Sequence, residues 1–276
     1  MTINVLLVSF NSVLDLKEDF LNLPIGFRLI VFDNSTDIEI RKKNQKYCLD
    51  HHVIYLTANT NVGLSKAYNQ VIQKYLTSND YLLFLDYDTT IGKDYFELIQ
   101  KVLTQTQYDV YSPININSKT KKIDSPKLFK DEKVLTSKDT DLTADTYDFF
   151  NSINNGLVVK GSIYSKIGLY NESLFVYFVD ANFFVNLFRA KIRTKIIPYR
   201  NMCDFSLSNP DKKSLKNRLS LIKRDGKIYY SLIYKDHLLL GRMHYCLFFI
   251  KKALECSRIT KKRYFFSYLS TKKAKI

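Results

Sequence analysis

The chain has 276 residues, of which 46% are hydrophobic and 25% are charged. This composition is that of a globular protein, so mainly disordered, collagen-like and coiled-coil chains are excluded. The formal net charge of +15 is placed unevenly, since residues 1–211 contain 24 basic and 24 acidic residues whereas residues 212–276 contain 18 basic residues and three acids. A neutral body with a basic end predicts an anionic partner, either nucleic acid or an anionic membrane surface.

The cysteines and the N-terminus indicate the compartment. The four cysteines have no C-x-x-C spacing, which favours reduced thiols in a cytoplasmic protein over a zinc ribbon or a redox pair. The first residues lack the basic start of a signal peptide. The apolar stretch Ile228–Ile250 is interrupted by charged side chains, so we do not expect it to cross a membrane.

Strand and helix patterns alternate over the first hundred residues. Apolar runs that end in polar residues predict four strands, at Ile3–Phe10, Phe27–Phe32, His52–Leu56 and Tyr81–Leu85. The segments between and after them predict four helices, at Leu14–Leu23, 37–49, Leu64–Leu76 and Lys93–Leu103. This alternation predicts an α/β fold with a mostly parallel sheet covered by helices on both faces.

The second half is less regular. Residues 115–148 are mainly polar and predict either a long loop over the sheet or an inserted hairpin. Further elements are predicted at Leu157–Val159 (strand), Ser162–Ile167 (helix), Asp180–Ala190 (helix) and Ile192–Pro198 (strand). From about Pro210 the pattern is that of two or three basic amphipathic helices. We therefore predict one domain over residues 1–210 and a basic helical region over residues 211–276.

Polar residues gather where the first four predicted strands end. They are Ser9 and Asn11, Asp33 and Asn34, Asn59 and Asn61, and Asp86 and Asp88. Each group alone is explained by the preference of Asp and Asn for turns. In an open parallel sheet, however, ligands bind beyond the carboxyl ends of the strands. Four groups at one sheet edge favour a binding site.

The pair Asp86 and Asp88 is the sharpest of these signals. Two carboxylates one residue apart after an apolar strand can share a divalent cation with a diphosphate, because Mg²⁺ favours oxygen ligands and substrate phosphates. A second Asp-x-Asp, at Asp139 and Asp141, has no apolar strand before it and is interpreted as chance. The chain has no G-x-G-x-x-G, Walker A or G-x-S-x-G motif. A metal on acidic residues is the remaining way to hold a nucleotide.

These motifs resemble those of family-2 inverting glycosyltransferases with the GT-A fold, in particular bacterial rhamnosyltransferase-like members, over roughly residues 3–200. The matching segments are Val8–Asn11, Val31–Ser35, Asn61–Gly63 with Ala67 and Asn69, and Leu85–Asp88. Their order and spacing fit the family.

The resemblance implies roles for these residues. Asp33 would contact the base or ribose of a nucleoside-diphosphate sugar, and Asp86 and Asp88 would hold Mg²⁺ or Mn²⁺, with Asp88 the more direct ligand. The other polar residues of the nucleotide side would be Ser9, Asn11, Asn61 and Asn69. Asn69 could equally be a plain helix-surface residue. Asn155 and Gly156 fall where the family often has Ser-Gly near the acceptor.

A later segment, Phe175–Asn182, resembles the family's F-I-D-x-V-D-x-E, with Tyr177 replacing an acid and Asn182 replacing the glutamate. Asp180 is retained, and in the family this acid is the general base. Inverting transfer needs one base for the acceptor proton, and the apolar setting of Leu174–Val179 favours a raised pKa for Asp180. The alternative is that Asp180 only caps the following helix.

The sequence thus predicts a metal-dependent inverting glycosyltransferase that moves a sugar, with rhamnose as a candidate, from a nucleoside diphosphate to a bacterial surface glycan. The basic end would hold it peripherally on the inner face of the cell membrane. Two rivals remain: a nucleotidyltransferase using the same acidic pair, and a nucleic-acid-binding protein acting through the basic end. The neutral body argues against nucleic acid. A homodimer through the C-terminal helices is also open.

Overall fold

The computed structural model describes residues 1–87, 89–105, 108–131, 134–135, 147–203 and 212–260. These residues form two compact units. The first, called here the sheet unit, contains residues 1–172 and 179–203. The second, called the helical unit, contains residues 173–178 and 212–260.

The first part of the sheet unit alternates strands with helices, as the sequence predicts. Its elements are β1 (Ile3–Ser9), α1 (Glu18–Leu21), β2 (Phe27–Asp33), α2 (Ile38–Asp50), β3 (Ile54–Thr57), α3 (Leu64–Tyr75), β4 (Tyr81–Asp86) and α4 (Lys93–Gln105). The four strands are parallel and lie in the order β3-β2-β1-β4. Strand order doubles back at β1, between β2 and β4, which is where ligands bind in open α/β sheets.

The second part completes the sheet. Its elements are β5 (Val110–Asn117), β6 (Ile123–Ser125), β7 (Lys127–Asp131), β8 (Val134–Leu135), β9 (Tyr147–Asp148), β10 (Phe150–Asn151), β11 (Val158–Lys160), α5 (Ser162–Ile167), α6 (Val179–Arg189) and β12 (Thr194–Cys203). The main sheet continues as β4-β11-β5-β12-β9, with β6 on β5, and β11 runs antiparallel to both its neighbours. Strands β10, β7 and β8 form a small separate sheet.

Helices cover the two faces of the main sheet. The residues Ile3, Val5 and Leu7 of β1 point into one buried cluster together with residues of α2 and α4. On the opposite face the ring of Tyr68 in α3 packs edge-on against Phe84 of β4, with centroids 4.9 Å apart. This period-two division of side chains is the one expected of a strand buried on both faces. The predicted α/β class with a mostly parallel sheet is confirmed.

Two segments differ from prediction. Within Leu14–Leu23 only the single turn α1 is helical, because the backbone N–H groups of Leu14 and Leu16 donate to the Asn44 carboxamide (2.8 Å) and the Tyr47 hydroxyl (3.1 Å) of α2 instead of to a helix. Strand β5 was not predicted at all. The described part of the polar stretch 115–148 forms short strands, and β5 and β6 pair as an antiparallel hairpin.

The helical unit contains α7 (Lys212–Ile233) and α8 (Leu238–Thr260). Leu219 and Ile222 of α7 are buried against Phe249 of α8. The Tyr245 hydroxyl of α8 donates to the Lys223 carbonyl of α7 (3.1 Å). Among the described residues, no helix is long and apolar enough to span a membrane.

Candidate active site

The carboxyl ends of the parallel strands are level with one another. Ser9 at the end of β1 lies opposite Asp33 of β2, and Asp33 lies opposite Thr57 of β3. On the other side of β1, Val8 lies opposite Asp86 of β4. The structure therefore brings the predicted polar residues of β1, β2 and β4 to one sheet edge.

Asp33 is fully buried at this edge, and protein groups hold its carboxylate. Oδ1 accepts the Ser35 N–H (2.9 Å), while Oδ2 accepts from the Asn44 carboxamide (2.8 Å) and the Tyr55 hydroxyl (3.0 Å). Burial, and secondarily the charge of Asp33, raises the pKa of Tyr55 above its usual value and the pKa of Cys48 to about 12. Because a carboxylate offers about four acceptor positions, roughly one remains for a ligand.

Three other predicted nucleotide-side residues line the loops at this edge. Asn11 has a positive φ of 47°, and its Oδ1 accepts the N–H groups of Thr36 (2.8 Å) and Asp37 (3.3 Å), which ties the β1 loop to the start of α2. Asn61 Oδ1 accepts the Gly63 N–H (3.0 Å) in the turn that opens α3. The Ser9 hydroxyl is buried, and among the described residues it has no hydrogen-bond partner.

Asn69 is buried rather than on the helix surface. Its Oδ1 accepts the Tyr170 N–H (2.9 Å), and its Nδ2 donates to the Tyr170 carbonyl (2.9 Å) and the Glu172 carboxylate (3.0 Å). These bonds fasten α3 to the segment before α6. The helix-surface alternative is therefore wrong, and a nucleotide contact by Asn69 stays a prediction.

Asp86 is exposed at the end of β4, while Asp88 and the second pair, Asp139 and Asp141, lie outside the described residues. The loop that begins at Asp86 is held at both ends. The Asp86 N–H donates to Asn155 Oδ1 (3.4 Å), and the Thr90 hydroxyl bonds the Met202 carbonyl (3.0 Å) and Asn201 Oδ1 (2.9 Å) of β12. No local pattern indicated Thr90 and Asn201, because they lie 111 residues apart in the chain and meet only in the fold.

The predicted acceptor residues Asn155 and Gly156 lie directly before β11. The Asn155 carboxamide is buried between the Asp86 N–H and the Cys203 thiol (3.5 Å). Gly156 has a φ of +85°, and a Cβ there would lie 2.6 Å from Pro113 Cγ, so glycine is required. Both residues thus have a structural reason, and their contact with an acceptor stays a prediction.

Asp180 is half-buried in the first turn of α6. Its Oδ1 accepts the Ala181 N–H (2.7 Å). Burial raises the pKa of Asp180 to about 6, although backbone hydrogen bonds act in the opposite direction. Because α6 begins at Val179, Asp180 lies in the first turn of the helix, and both the base and the capping role stay predictions. A carboxyl with this pKa can accept a proton near neutral pH.

Tyr68 lies within electrostatic range of both Asp86 and Asp180. Burial raises the pKa of the Tyr68 phenol above its usual value, and the charges of Asp86 and Asp180 raise it further. The ionisation of this phenol is therefore affected by the carboxylate at the end of β4 and by the carboxylate of α6. The sequence pattern showed Tyr68 only as part of the apolar stripe of α3, and nothing in that pattern indicated a place beside the acids.

Within the helical unit, α7 is bonded to the backbone of residues 175–177. Oδ2 of the fully buried Asp225 in α7 accepts the N–H groups of Phe175 (3.2 Å), Val176 (2.9 Å) and Tyr177 (2.9 Å). Its Oδ1 accepts from the Arg224 guanidinium (2.9 Å). This set of hydrogen bonds was not predicted, since Asp225 lies about fifty residues away in a basic helix.

Of the two predicted metal ligands, Asp86 lies among the described residues. Among the described residues no three His, Cys, Asp or Glu side chains are close enough to form a complete protein cage for a metal. Mg²⁺ is usually held by one or two carboxylates together with substrate phosphates. The exposed carboxylate of Asp86 suits such a shared site.

The sequence is similar to a protein family and to a characterised relative. The model of glycosyl transferase family 2 matches residues 3–160, which is more than half of the chain. The chain is also similar to the low-salt glycan biosynthesis hexosyltransferase Agl10 of Haloferax volcanii, at 23% identity over 191 residues. That match covers 66% of this chain and 60% of the relative, so the chain spans less than two thirds of the relative's length.

Two solved structures share the fold. The crystal structure of S. aureus TarS 1-349 in complex with UDP has a TM-score of 0.53 and 16% identity, covering 82% of this chain and 65% of that one. The crystal structure of GalNAc-T7 with UDP, GalNAc and Mn²⁺ has a TM-score of 0.55 and 12% identity, covering 93% of this chain and 57% of that one. At such identities the likeness concerns the fold, and together with the family match it agrees with the predicted GT-A fold.

Proposed function

Because the chain belongs to glycosyl transferase family 2, we propose that it is a metal-dependent inverting glycosyltransferase. It transfers a sugar, with rhamnose as a candidate, from a nucleoside diphosphate to a surface-glycan acceptor. The observation that carries the proposal is Asp180, whose pKa of about 6 suits a general base and whose charge reaches the same phenol as Asp86.

The donor side of the proposal rests on the sheet edge. Asp33 has about one acceptor position left for the nucleoside, and the buried Ser9 hydroxyl offers a donor beside it. Both solved neighbours were crystallised with UDP, which supports a nucleotide sugar as the donor class.

Asp86 and Asp88 would hold Mg²⁺ or Mn²⁺ together with the diphosphate. When bound, the cation neutralises the charge that develops on the leaving diphosphate. Support comes from Asn155, which holds the backbone N–H of Asp86, and from the bond of the Thr90 hydroxyl to the Met202 carbonyl, because both contacts exist without a bound donor. The Mn²⁺ in the GalNAc-T7 structure is in accord with such a site.

Asp180 would take the proton of the acceptor hydroxyl. The acceptor oxygen forms a bond to the anomeric carbon as the bond from that carbon to the diphosphate oxygen breaks, and the bonding electrons leave with the diphosphate. The proton ends on Asp180, and attack from the face opposite the leaving group inverts the anomeric centre. Asn155 and Gly156 would lie on the acceptor side.

A screen of donor hydrolysis tests this proposal without a known acceptor, because water can replace the acceptor hydroxyl. The full chain is incubated with a panel of nucleotide sugars and Mg²⁺, Mn²⁺ or EDTA, and nucleoside diphosphate is measured. We expect metal-dependent hydrolysis of at least one nucleotide sugar. Release of inorganic diphosphate from a nucleoside triphosphate would instead identify a nucleotidyltransferase. Filter binding of DNA and RNA without any hydrolysis would favour the nucleic-acid alternative.

We further propose that the protein acts at the cytoplasmic face of the cell membrane, where lipid-linked acceptors would be within reach. The support is the charge of residues 212–276, which contain 18 Lys or Arg and three acids. Each basic residue near an anionic surface contributes about 1 kcal/mol of attraction. Gel filtration in the absence of lipid tests the remaining alternative, a homodimer.

A further inference from the structure

Helix α8 has two apolar faces, of which only one is used within the helical unit. The inner face packs on α7, where Tyr245 and Phe249 meet Leu219 and Ile222. The outer face is an exposed row of large apolar side chains, called here the outer stripe: Leu239, Met243, Leu247, Ile250 and Leu254. Their exposed fractions run from 41% to 80%. Contiguous exposed apolar surface of this kind marks an interaction site.

The stripe is regular. At 100° per residue its five side chains fall within an arc of about 80° on the helix. Arg242 lies about 60° beyond one edge and Lys251 about 40° beyond the other, and both are exposed. An exposed apolar stripe with a basic residue along each edge suits a membrane interface, because the apolar side chains can enter the acyl boundary while the basic groups stay among the headgroups.

We propose that the outer stripe of α8 rests in the interface of an anionic lipid bilayer, with Arg242 and Lys251 among the headgroups. The occupant follows from charge, since the region from residue 212 onward has 18 basic residues against three acids. Pairing two such stripes in a dimer would bring together two chains of net charge +15, which repel each other. Anionic lipid supplies the opposite charge and the apolar depth together. This inference deepens the proposed function by naming the surface that contacts the membrane.

The test uses the full chain and cosedimentation with vesicles. One set is phosphatidylcholine alone, and the other contains about 30% phosphatidylglycerol. The stripe variant is Met243→Gln/Leu247→Gln/Ile250→Gln. Its matched control is Ile25→Gln/Ile38→Gln/Leu49→Gln, which removes three exposed apolar side chains from the sheet unit. Glutamine is a good helix former, and all six positions are exposed, so both variants should fold.

We expect the wild type and the control to bind the anionic vesicles. The stripe variant should bind them at least about tenfold more weakly. Arg242→Gln/Lys251→Gln should also bind more weakly and with a smaller dependence on salt. The proposal would be overturned if the wild type bound anionic vesicles as weakly as the stripe variant, or if all three proteins bound them equally. So would a wild-type dimer that the stripe variant converts to a monomer without any vesicle binding.

Donor hydrolysis in vesicle-free buffer separates this inference from the proposed function. The stripe variant should hydrolyse the donor at the wild-type rate, because no stripe residue is placed in the candidate active site. If no nucleotide sugar is hydrolysed, the enzymatic proposal fails while the vesicle result still decides the role of the stripe.

Discussion

Asp33 and Asp180, two aspartates of the sheet unit, have opposite surroundings. The Asp33 carboxylate is fully buried and accepts three hydrogen bonds, from Ser35, Asn44 and Tyr55. Asp180 is half-buried and accepts the neighbouring Ala181 N–H, and burial raises its pKa to about 6. The comparison shows how environment divides one residue type between two tasks. Many donors fix Asp33 as a binding group, whereas burial with few donors leaves Asp180 ready to exchange a proton.

The largest effect on donor hydrolysis is expected from a change at the proposed cation site. Asp88→Ala should lower donor hydrolysis by about 10³-fold or more with folding intact, since the variant removes a carboxylate from the proposed cation site. Steady-state rates with Mn²⁺ and circular dichroism measure the two properties. The second Asp-x-Asp provides a matched control, because Asp139→Ala/Asp141→Ala should keep the wild-type rate. Equal losses in both variants would remove the distinction between the two pairs.

Asp180→Asn should slow donor hydrolysis by about 10²–10⁴-fold, the usual contribution of a positioned base. Donor affinity should persist, because Asp33 and Asp86 are unchanged. Isothermal titration with the donor nucleotide and steady-state rates give the two quantities. Near-normal turnover by this variant would show that Asp180 is not the base.

The same variant should be more stable than the wild type at high pH. A raised pKa means that the native carboxyl binds its proton more tightly than the unfolded one, so native stability falls as pH rises from about 4 to about 6 and stays lower above that range. Asparagine cannot ionise and keeps the acceptor for Ala181. Urea titrations should therefore give a gain on the order of 2 kcal/mol at about pH 8 and none at about pH 4. A loss of stability at pH 8 would argue against the burial of this charge.

Asp225→Ala tests the contact of the Asp225 carboxylate with the backbone of residues 175–177, which precede Asp180 in the chain. It leaves three backbone N–H groups and Arg224 without their buried carboxylate, at a cost of about 3 kcal/mol. The amides of Phe175, Val176 and Tyr177 should exchange hydrogen about 10²-fold faster, because each 1.4 kcal/mol is a factor of ten. Hydrogen exchange with mass spectrometry measures this. Lys227→Ala, an exposed position in the same helix, is the control. Unchanged exchange in the Asp225 variant would show that this carboxylate does not hold the three amides.

The smallest effect concerns the binding side. Asp33→Asn keeps the size and part of the hydrogen bonding, so donor KM should rise about tenfold while kcat changes little. The reason is that Asp33 is assigned to the nucleoside and not to the reacting centre. Donor saturation curves separate the two constants. A fall in kcat at constant KM would move Asp33 from the binding side to the chemical side.

The sequence was informative wherever a local pattern decides the structure. Apolar runs and the polar residues after them located β1, β2 and β4, and their parallel pairing then brought Ser9, Asp33 and Asp86 to one edge. The stripe of α3 located that helix to within one residue. These features depend on periodicities of 2 and 3.6, which a single sequence displays.

Long-range partners could not be read in the same way. The extended segment around Leu14 is set by Asn44 and Tyr47 of α2, which no local pattern connects to it. Asp225 reaches Val176 across about fifty residues, and the two faces of α8 became distinguishable only when one was seen packed on α7. The environment of Asp180 likewise depends on its burial in the folded chain.

The pH dependence of donor hydrolysis tests the role of Asp180 most directly. The donor kcat/KM, measured from about pH 5 to about pH 9 at saturating metal, reports the ionisation of the base in the free enzyme. With Asp180 as the base and its pKa of about 6, kcat/KM should fall about tenfold per pH unit below that value and level off above it, and Asp180→Asn should lose this inflection. A wild-type kcat/KM that is flat between pH 5 and 7, or an inflection that persists in Asp180→Asn, would contradict the account.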